Sequence, residues 1–173
     1  ETNAEILQVR QEMLYATLVE VKGIAEMSAR SEFDAARRDV ERQQPGEHWR
    51  AKDVFEYLGL DWGDCIRVIE KVTPAEKLRH IVSRIMTIRF AGLFEKLSRN
   101  YLIIVFTNSG RAWTLSVLEG LEIGKFVDYI ITRNELGDDI KPHLRGFEMA
   151  LAFAQRTLRL NREECVRRTI AIG

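Results

Sequence analysis

The sequence predicts an α/β protein whose front half is helical and whose back half is a parallel sheet flanked by helices. Three observations lead to this fold class: an unbroken apolar run at residues 101–106, alternating strand-type and helix-type patterns after residue 90, and helix-type spacing of apolar residues before it. We therefore expect a helical subdomain over residues 1–89 and an α/β core over residues 90–173. A chain of 173 residues is long enough for one core with an appended subdomain.

The front half reads as a set of helices. Its composition is rich in charge, and its apolar residues recur at intervals of three and four, which is typical of amphipathic helices. Residues that interrupt helices fall at four places and predict about four helices of modest length. These places are Lys22-Gly23, Gln44-Pro45-Gly46, Leu60–Gly63 and Thr73-Pro74.

The back half carries three strand-type runs. The strongest is Tyr101–Phe106, whose lack of polar alternation is typical of a parallel strand buried on both faces. Phe126–Ile131 follows after an amphipathic helical stretch, and Thr169–Gly173 follows after a second one. Alternation of this kind is typical of βαβ units with right-handed crossovers. The prediction is three parallel strands in one sheet.

Polar groups follow the first two of these strands. Thr107, Asn108 and Ser109 come directly after the first run, and Lys141 lies 34 positions after Thr107, in the loop that follows the second run. Ligands of parallel sheets bind beyond the carboxyl ends of the strands, so these groups are expected at one edge. A hydroxyl, backbone amides and an ammonium group make an anion site. The same residues also fit a helix-capping turn and a solvated surface lysine.

Two segments at this spacing resemble motifs of a known superfamily. Phe106–Gly110 resembles the second motif, and Ile140–His143 the third motif, of the haloacid dehalogenase-like (HAD) hydrolases, in particular the phosphatases with an all-helical cap. The resemblance covers residues 90–173 well and the front half only in general character. It implies a HAD-like Rossmannoid core, a parallel sheet flanked by helices, with a helical cap. It also implies a Mg²⁺-dependent phosphomonoester phosphatase that acts on a small phosphorylated metabolite through an aspartyl-phosphate.

The resemblance also implies roles for individual residues. Thr107 and Asn108 would bind the phosphoryl group, and Lys141 would steady both the phosphate and the nucleophile, so Thr107 and Lys141 are the catalytic candidates. Such roles suit phosphoryl transfer, which is catalysed mainly by positioning and charge stabilisation. The visible motifs do not distinguish the leaving group, so a haloacid dehalogenase activity stays open.

The acidic residues that the family uses are missing from this pattern. The nucleophile is the first aspartate of an Asp-x-Asp motif, and Mg²⁺ is bound by that motif and by an acidic fourth motif; no Asp-x-Asp follows an apolar strand here. One interpretation places both acidic motifs outside residues 1–173. In another, Tyr15–Gly23 is the first strand and Glu20 and Lys22 replace the aspartates, giving a catalytically degenerate interaction protein. The simpler alternative is one amphipathic helix over Thr2–Lys22.

Composition argues against several other functions. The 26 basic and 26 acidic side chains balance, and no Lys/Arg run marks a nucleic-acid or anionic membrane surface. Cys65 and Cys165 lie 100 residues apart without metal-type spacing, which predicts free thiols in the cytoplasm. No apolar run approaches a membrane span, and the sequence leaves the oligomeric state undefined.

Overall fold

The computed structural model describes residues 2–44, 49–85, 89–137 and 143–170. The chain divides into two compact units, Glu1–Ile81 and Val82–Gly173, which we call unit 1 and unit 2. Of the described residues, 73% are helical and 4% lie in strands. No helix among them is long and apolar enough to cross a membrane.

Unit 1 is helical, as predicted, and a helix boundary lies at or beside each of the four predicted interruptions. Gly23, with φ of +64°, separates the first two helices, a backbone conformation that glycine adopts at little cost. The fifth helix begins in unit 1 and ends in unit 2. In order, the helices are α1 (Thr2–Lys22), α2 (Glu26–Gln43), α3 (Ala51–Tyr57), α4 (Trp62–Val72) and α5 (Ala75–Ile85).

Aromatic rings fill the core of unit 1. Phe33 of α2 meets Tyr15 of α1 and Phe55 of α3 edge to face, with ring centroids 5.7 and 5.5 Å apart. Phe33 also meets Trp49 at 6.2 Å, and Phe55 stacks on Trp62 at 6.0 Å. Phe33 and Phe55 are at most 1% exposed. Edge-to-face and offset stacking are the favoured geometries of aromatic pairs, so these rings fix α1, α2 and α3 together.

Unit 2 contains the two strands, and they pair in parallel. Ile104 stands opposite Tyr129, and Phe106 opposite Ile131, which confirms the predicted parallel pairing of the first two strand-type runs. A 3-10 turn, Gly124–Phe126, precedes the second strand. The other elements are α6 (Arg89–Ser98), β1 (Ile104–Phe106), α7 (Arg111–Gly120), β2 (Tyr129–Ile131), α8 (Arg133–Leu136), α9 (Arg145–Leu158) and α10 (Arg162–Arg168).

The predicted fold class is nevertheless wrong. A HAD-like Rossmannoid core needs a larger parallel sheet, whereas the described residues form a mostly helical chain with one sheet of two three-residue strands. Of the third predicted strand, Thr169 and Ile170 lie in neither helix nor strand, and residues 171–173 fall outside the described ranges. The chain is therefore not an α/β protein of the expected kind within the part that the structure describes.

Local hydrogen bonds explain why each strand is half as long as its apolar run. The amide of Tyr101 donates to the carbonyl of Leu97 at 2.9 Å, so Tyr101 continues the end of α6. Phe126 closes the 3-10 turn, and the Asp128 carboxylate accepts from the Ile103 amide at 2.8 Å. The apolar pattern counts these residues as strand although turns and a side chain satisfy their backbone groups.

Helix α9 covers one face of the short sheet. The ring of Phe147 meets Phe106 of β1 edge to face at 5.0 Å, and Phe153 stacks on Tyr129 of β2 at 4.3 Å. Gly146 permits this approach, because a Cβ atom at that position would lie 2.2 Å from the Phe106 ring. The β1 side chains remain only partly buried, so the prediction of a strand buried on both faces is also wrong.

Both cysteines are buried and free. Burial raises the pKa of the Cys65 thiol to about 11, with the nearby Asp61 carboxylate acting in the same direction. Cys65 is therefore a neutral thiol at physiological pH and packs as a small apolar residue against its surroundings in unit 1.

Candidate functional site

The turn that follows β1 is built around the Thr107 hydroxyl. The Thr107 amide donates to the carbonyl of Ile131 at 2.9 Å, which extends the parallel ladder one residue beyond β1. The Thr107 hydroxyl then accepts from the amide of Ser109 at 3.1 Å, the hydrogen bond of a Ser/Thr turn. Because that oxygen acts as acceptor, its own hydrogen remains to donate elsewhere. Thr107 is thus held at the carboxyl end of the sheet, as predicted from its place directly after the first apolar run.

Helix α7 begins directly after this turn. Gly110 is its N-cap residue, with extended backbone and no side chain to cap the helix. The hydroxyl of Thr114 donates to the Gly110 carbonyl at 2.8 Å and anchors the first turn of the helix. The amino end of a helix carries a partial positive charge, so the turn lies in a potential that favours anions.

The loop after β2 begins with a capping box and ends at a glycine. Thr132 is fully buried and forms a reciprocal capping box with Glu135 at the start of α8. The Thr132 amide and hydroxyl donate to Glu135 Oε2 at 2.7 and 2.6 Å. Leu136 is also fully buried, and Gly137 ends the helix with φ of +62°. A capping box followed by a glycine in this conformation defines the loop at both of its ends.

Three polar contacts join the two loops. The amide of Arg133 donates to the carbonyl of Ser109 at 3.0 Å. The amide of Arg111 donates to Asn134 Oδ1 at 2.9 Å, and the Arg111 guanidinium forms an ion pair with Glu135 Oε1 at 2.8 Å. The turn after β1 is therefore held by the loop after β2, as parallel strands with adjacent carboxyl ends allow. Asn134 was not predicted as a site residue, although the spacing Thr132-x-x-Glu135 around it is a recognisable capping signal.

The environment of Glu135 favours its ionised form. Burial by itself would raise the pKa of the carboxyl group, but hydrogen bonds from Thr132 and the charge of Arg111 outweigh that effect and hold the pKa below its usual value. Glu135 is therefore an anion at neutral pH and an acceptor for both Thr132 and Arg111.

The predicted site residues have different outcomes. Thr107 and Asn108 lie in the turn after β1, both partly exposed. Lys141 falls outside the described residues, so its predicted approach to Thr107 stays a prediction. The possible degenerate motif is wrong, because Glu20 and Lys22 belong to the 21-residue helix α1 rather than to a strand. Their side chains pair instead with Lys71 and Glu32 respectively.

Among the described residues, no group of three or more His, Cys, Asp or Glu side chains is arranged to hold a metal ion. The predicted Mg²⁺ therefore rests on the motif resemblance.

Two open clefts in unit 2 are lined by residues other than Thr107. One, of about 540 Å³, lies beside α7, where Leu115, Leu118 and Ile130 form its apolar wall. The other, of about 260 Å³, is lined by Arg111 and Glu135 together with residues 127–130. The ion pair of Arg111 and Glu135 thus faces this second cleft, whereas neither cleft is lined by the turn residues Thr107–Gly110.

Comparison with protein-family models, with curated proteins and with solved structures finds no match to this chain.

Proposed function

We propose that this protein binds the phosphoryl group of a small phosphorylated metabolite at the Thr107–Gly110 turn. This binding would be the substrate-binding step of a HAD-type phosphomonoester hydrolysis. The observation that carries the proposal is the turn itself, a hydroxyl fixed at the carboxyl end of a parallel strand and followed at once by the amino end of α7. Both features favour a tetrahedral anion. The assignment to phosphomonoesters rests on the resemblance of the two motifs.

Thr107 is the residue on which binding depends. Its hydroxyl accepts from Ser109 and so presents its own hydrogen to a phosphoryl oxygen. A hydrogen bond to a charged group contributes more than one between neutral groups, typically about 1.5–3 kcal/mol. Asn108 and Lys141 complete the proposed set of ligands through the resemblance, with the lysine ammonium neutralising part of the phosphate charge.

Binding of this kind does not by itself accelerate hydrolysis. A site that binds ground state and transition state equally lowers no barrier, and covalent phosphoryl transfer needs a nucleophile. Because the sequence contains no Asp-x-Asp motif after an apolar strand, we expect residues 1–173 to bind phosphate without hydrolysing p-nitrophenyl phosphate. Magnesium-dependent turnover by this chain that survived Lys141→Ala would place the active site elsewhere.

The test is a titration of the 173-residue chain with inorganic phosphate, followed by the amide resonances of residues 107–111 in NMR spectra. We expect these resonances to shift, and Thr107→Val to weaken binding about tenfold, since one charge-assisted hydrogen bond is lost. Thr157→Val is the matched control, because Thr157 is exposed on α9 and away from the turn.

Two results would overturn the proposal. One is the absence of phosphate-induced shifts in residues 107–111, which would favour the non-catalytic interaction protein instead. The other is a Thr107→Val chain that binds phosphate as tightly as the Thr157→Val control. Competition separates the substrate class: a phosphomonoester should displace phosphate from the turn, whereas a phosphodiester with no terminal phosphoryl group should not.

A further inference from the structure

We propose that Asn134 and Glu135 are positioning residues that hold the Thr107–Gly110 turn in its anion-binding conformation. This inference rests on the proposed function, because it concerns the same turn. Both residues belong to α8, which follows β2, and both contact Arg111 at the start of α7. They reach the turn from a different segment of the chain, so their contacts restrain it from outside.

The geometry assigns Asn134 to the backbone of the turn. Its Oδ1 atom accepts from the Arg111 amide at 2.9 Å and fixes the residue that directly follows Gly110. The Arg133 amide donates to the Ser109 carbonyl at 3.0 Å and fixes the other side of Gly110. One hydrogen bond on each side of Gly110 therefore restricts the backbone freedom that this glycine would otherwise bring to the turn.

Glu135 acts through Arg111. Its Oε1 atom pairs with the guanidinium at 2.8 Å, while Oε2 accepts from the amide and hydroxyl of Thr132. Thr132 is fully buried and Glu135 is about a quarter exposed, so the pair is anchored in the interior of unit 2. Arg111 and Glu135 both line the cleft beside β2, and Thr107 does not.

The contacts of both residues restrain the turn and are made to protein groups. The Asn134 oxygen accepts from the Arg111 amide, and a carboxylate such as Glu135 repels a phosphoryl group. Their effect on binding is therefore indirect. A turn that is held in its bound conformation loses less conformational freedom when the ligand arrives, so it binds more tightly than a mobile one.

The chain contains a matched pair of residues for the test. Asn134 Oδ1 accepts from the Arg111 amide at 2.9 Å, and Asn161 Oδ1 accepts from the Glu164 amide at the same distance at the start of α10. Asn134→Leu and Asn161→Leu therefore each remove a hydrogen bond of the same length from a backbone amide, one at the turn and one at the start of α10. Both variants are titrated with inorganic phosphate, and amide hydrogen exchange is measured without ligand.

We expect Asn134→Leu to weaken phosphate binding about five- to tenfold, to increase exchange of the Arg111 amide and to shift the amide resonances of residues 107–110. Asn161→Leu should leave all three unchanged. Asn134→Asp retains an acceptor oxygen and should keep the Arg111 amide protected. Glu135→Gln still accepts from Thr132 but loses the ion pair with Arg111, so it should increase exchange of the Arg111 amide by a smaller factor than Asn134→Leu does.

Failure of this inference differs from failure of the proposed function. If the parent chain binds phosphate and Asn134→Leu binds it equally well, the positioning role is wrong while the proposed function stands. If the parent chain does not bind phosphate, the proposed function fails, and the positioning role is then decided by the ligand-free spectra. The positioning role would fail as well if Asn134→Leu left the hydrogen exchange of the Arg111 amide and the amide resonances of residues 107–110 unchanged.

Discussion

In unit 1, aromatic rings from three helices meet around Phe33, whereas in unit 2 the two strands are held by short polar loops and by the contact of α9 with one face of the sheet. Most of the fully buried apolar side chains that the structure describes belong to unit 1. In unit 2, Gly146 is the only buried residue among the described residues of α9. Unit 1 therefore owes its order chiefly to apolar burial, and unit 2 to hydrogen bonds at loop and helix ends.

This difference suits a site in unit 2. A binding turn needs backbone groups near solvent, and such groups are fixed by capping boxes and cross-loop bonds rather than by a dense core. The contacts of Thr132, Asn134 and Glu135 are of that kind. Substitutions in the core of unit 1 should therefore lower the free energy of unfolding far more than substitutions in unit 2.

The largest expected effect comes from the centre of the unit 1 core. Phe33→Ala removes a ring that is 1% exposed and contacts Tyr15, Trp49 and Phe55. We expect a loss of about 3–5 kcal/mol in the free energy of unfolding, as for other buried aromatic residues. Urea unfolding followed by circular dichroism measures the total, and hydrogen exchange of α1 and α2 amides assigns the loss to unit 1.

Met27→Ala is the control on the same helix. Met27 is 83% exposed, so its truncation should change the free energy of unfolding by less than about 0.5 kcal/mol. A Phe33→Ala chain no less stable than the Met27→Ala chain would contradict the view that the aromatic rings carry the order of unit 1.

A smaller effect is expected where α9 meets β1. Gly146→Ala would place a Cβ atom 2.2 Å from the Phe106 ring, which is itself packed against Phe147. The ring must shift, and overpacking of this kind costs about 1–3 kcal/mol. Urea unfolding gives the magnitude, and the amide resonance of Thr107 reports whether the shift reaches the turn.

Gly92→Ala is the matched control in unit 2. Gly92 lies in α6 and is exposed, and a Cβ atom there meets nothing within 4 Å. The same substitution should therefore stabilise the chain by up to about 1 kcal/mol, because alanine favours helix more than glycine does. Equal effects at Gly92 and Gly146 would mean that the close packing of α9 on β1 contributes nothing.

The sequence predicted the helices of unit 1 well because their boundaries are local. Gly23 interrupts a helix by its own chemistry. The strands were predicted too long because an apolar run does not reveal that Tyr101 hydrogen-bonds to α6 or that Asp128 accepts from Ile103. Helix α10 was missed, although Asn161 and Glu164 form a capping box that is visible in the sequence.

The candidate site divides in the same way. Thr107 could be predicted, because a hydroxyl directly after an apolar run needs only the order of residues along the chain. The role of Asn134 could not, because its partner Arg111 lies 23 positions away and the bond exists only when β1 and β2 are paired. Local patterns give no measure of such pairings, which depend on the tertiary structure.

The smallest expected effect concerns the charge of Glu135. Because the folded-state pKa of its carboxyl group is lowered, its contribution to stability is fully present above the ordinary glutamate pKa of about 4.3 and is lost as the pH falls through the folded-state pKa. Glu135→Gln should therefore be less stable than the parent chain at pH 7. The difference should narrow below about pH 4.3.

Urea unfolding of both chains at a series of pH values measures that difference. Glu148→Gln provides the control, because Glu148 is exposed on α9. The free energy of unfolding of this variant should differ little from that of the parent chain at every pH. The difference in free energy of unfolding between the parent chain and Glu135→Gln could instead stay constant down to pH 3. The ionised carboxylate would then not stabilise this loop. The order of unit 2 would then have to come from its apolar contacts, as in unit 1, and the contrast between the two units would disappear.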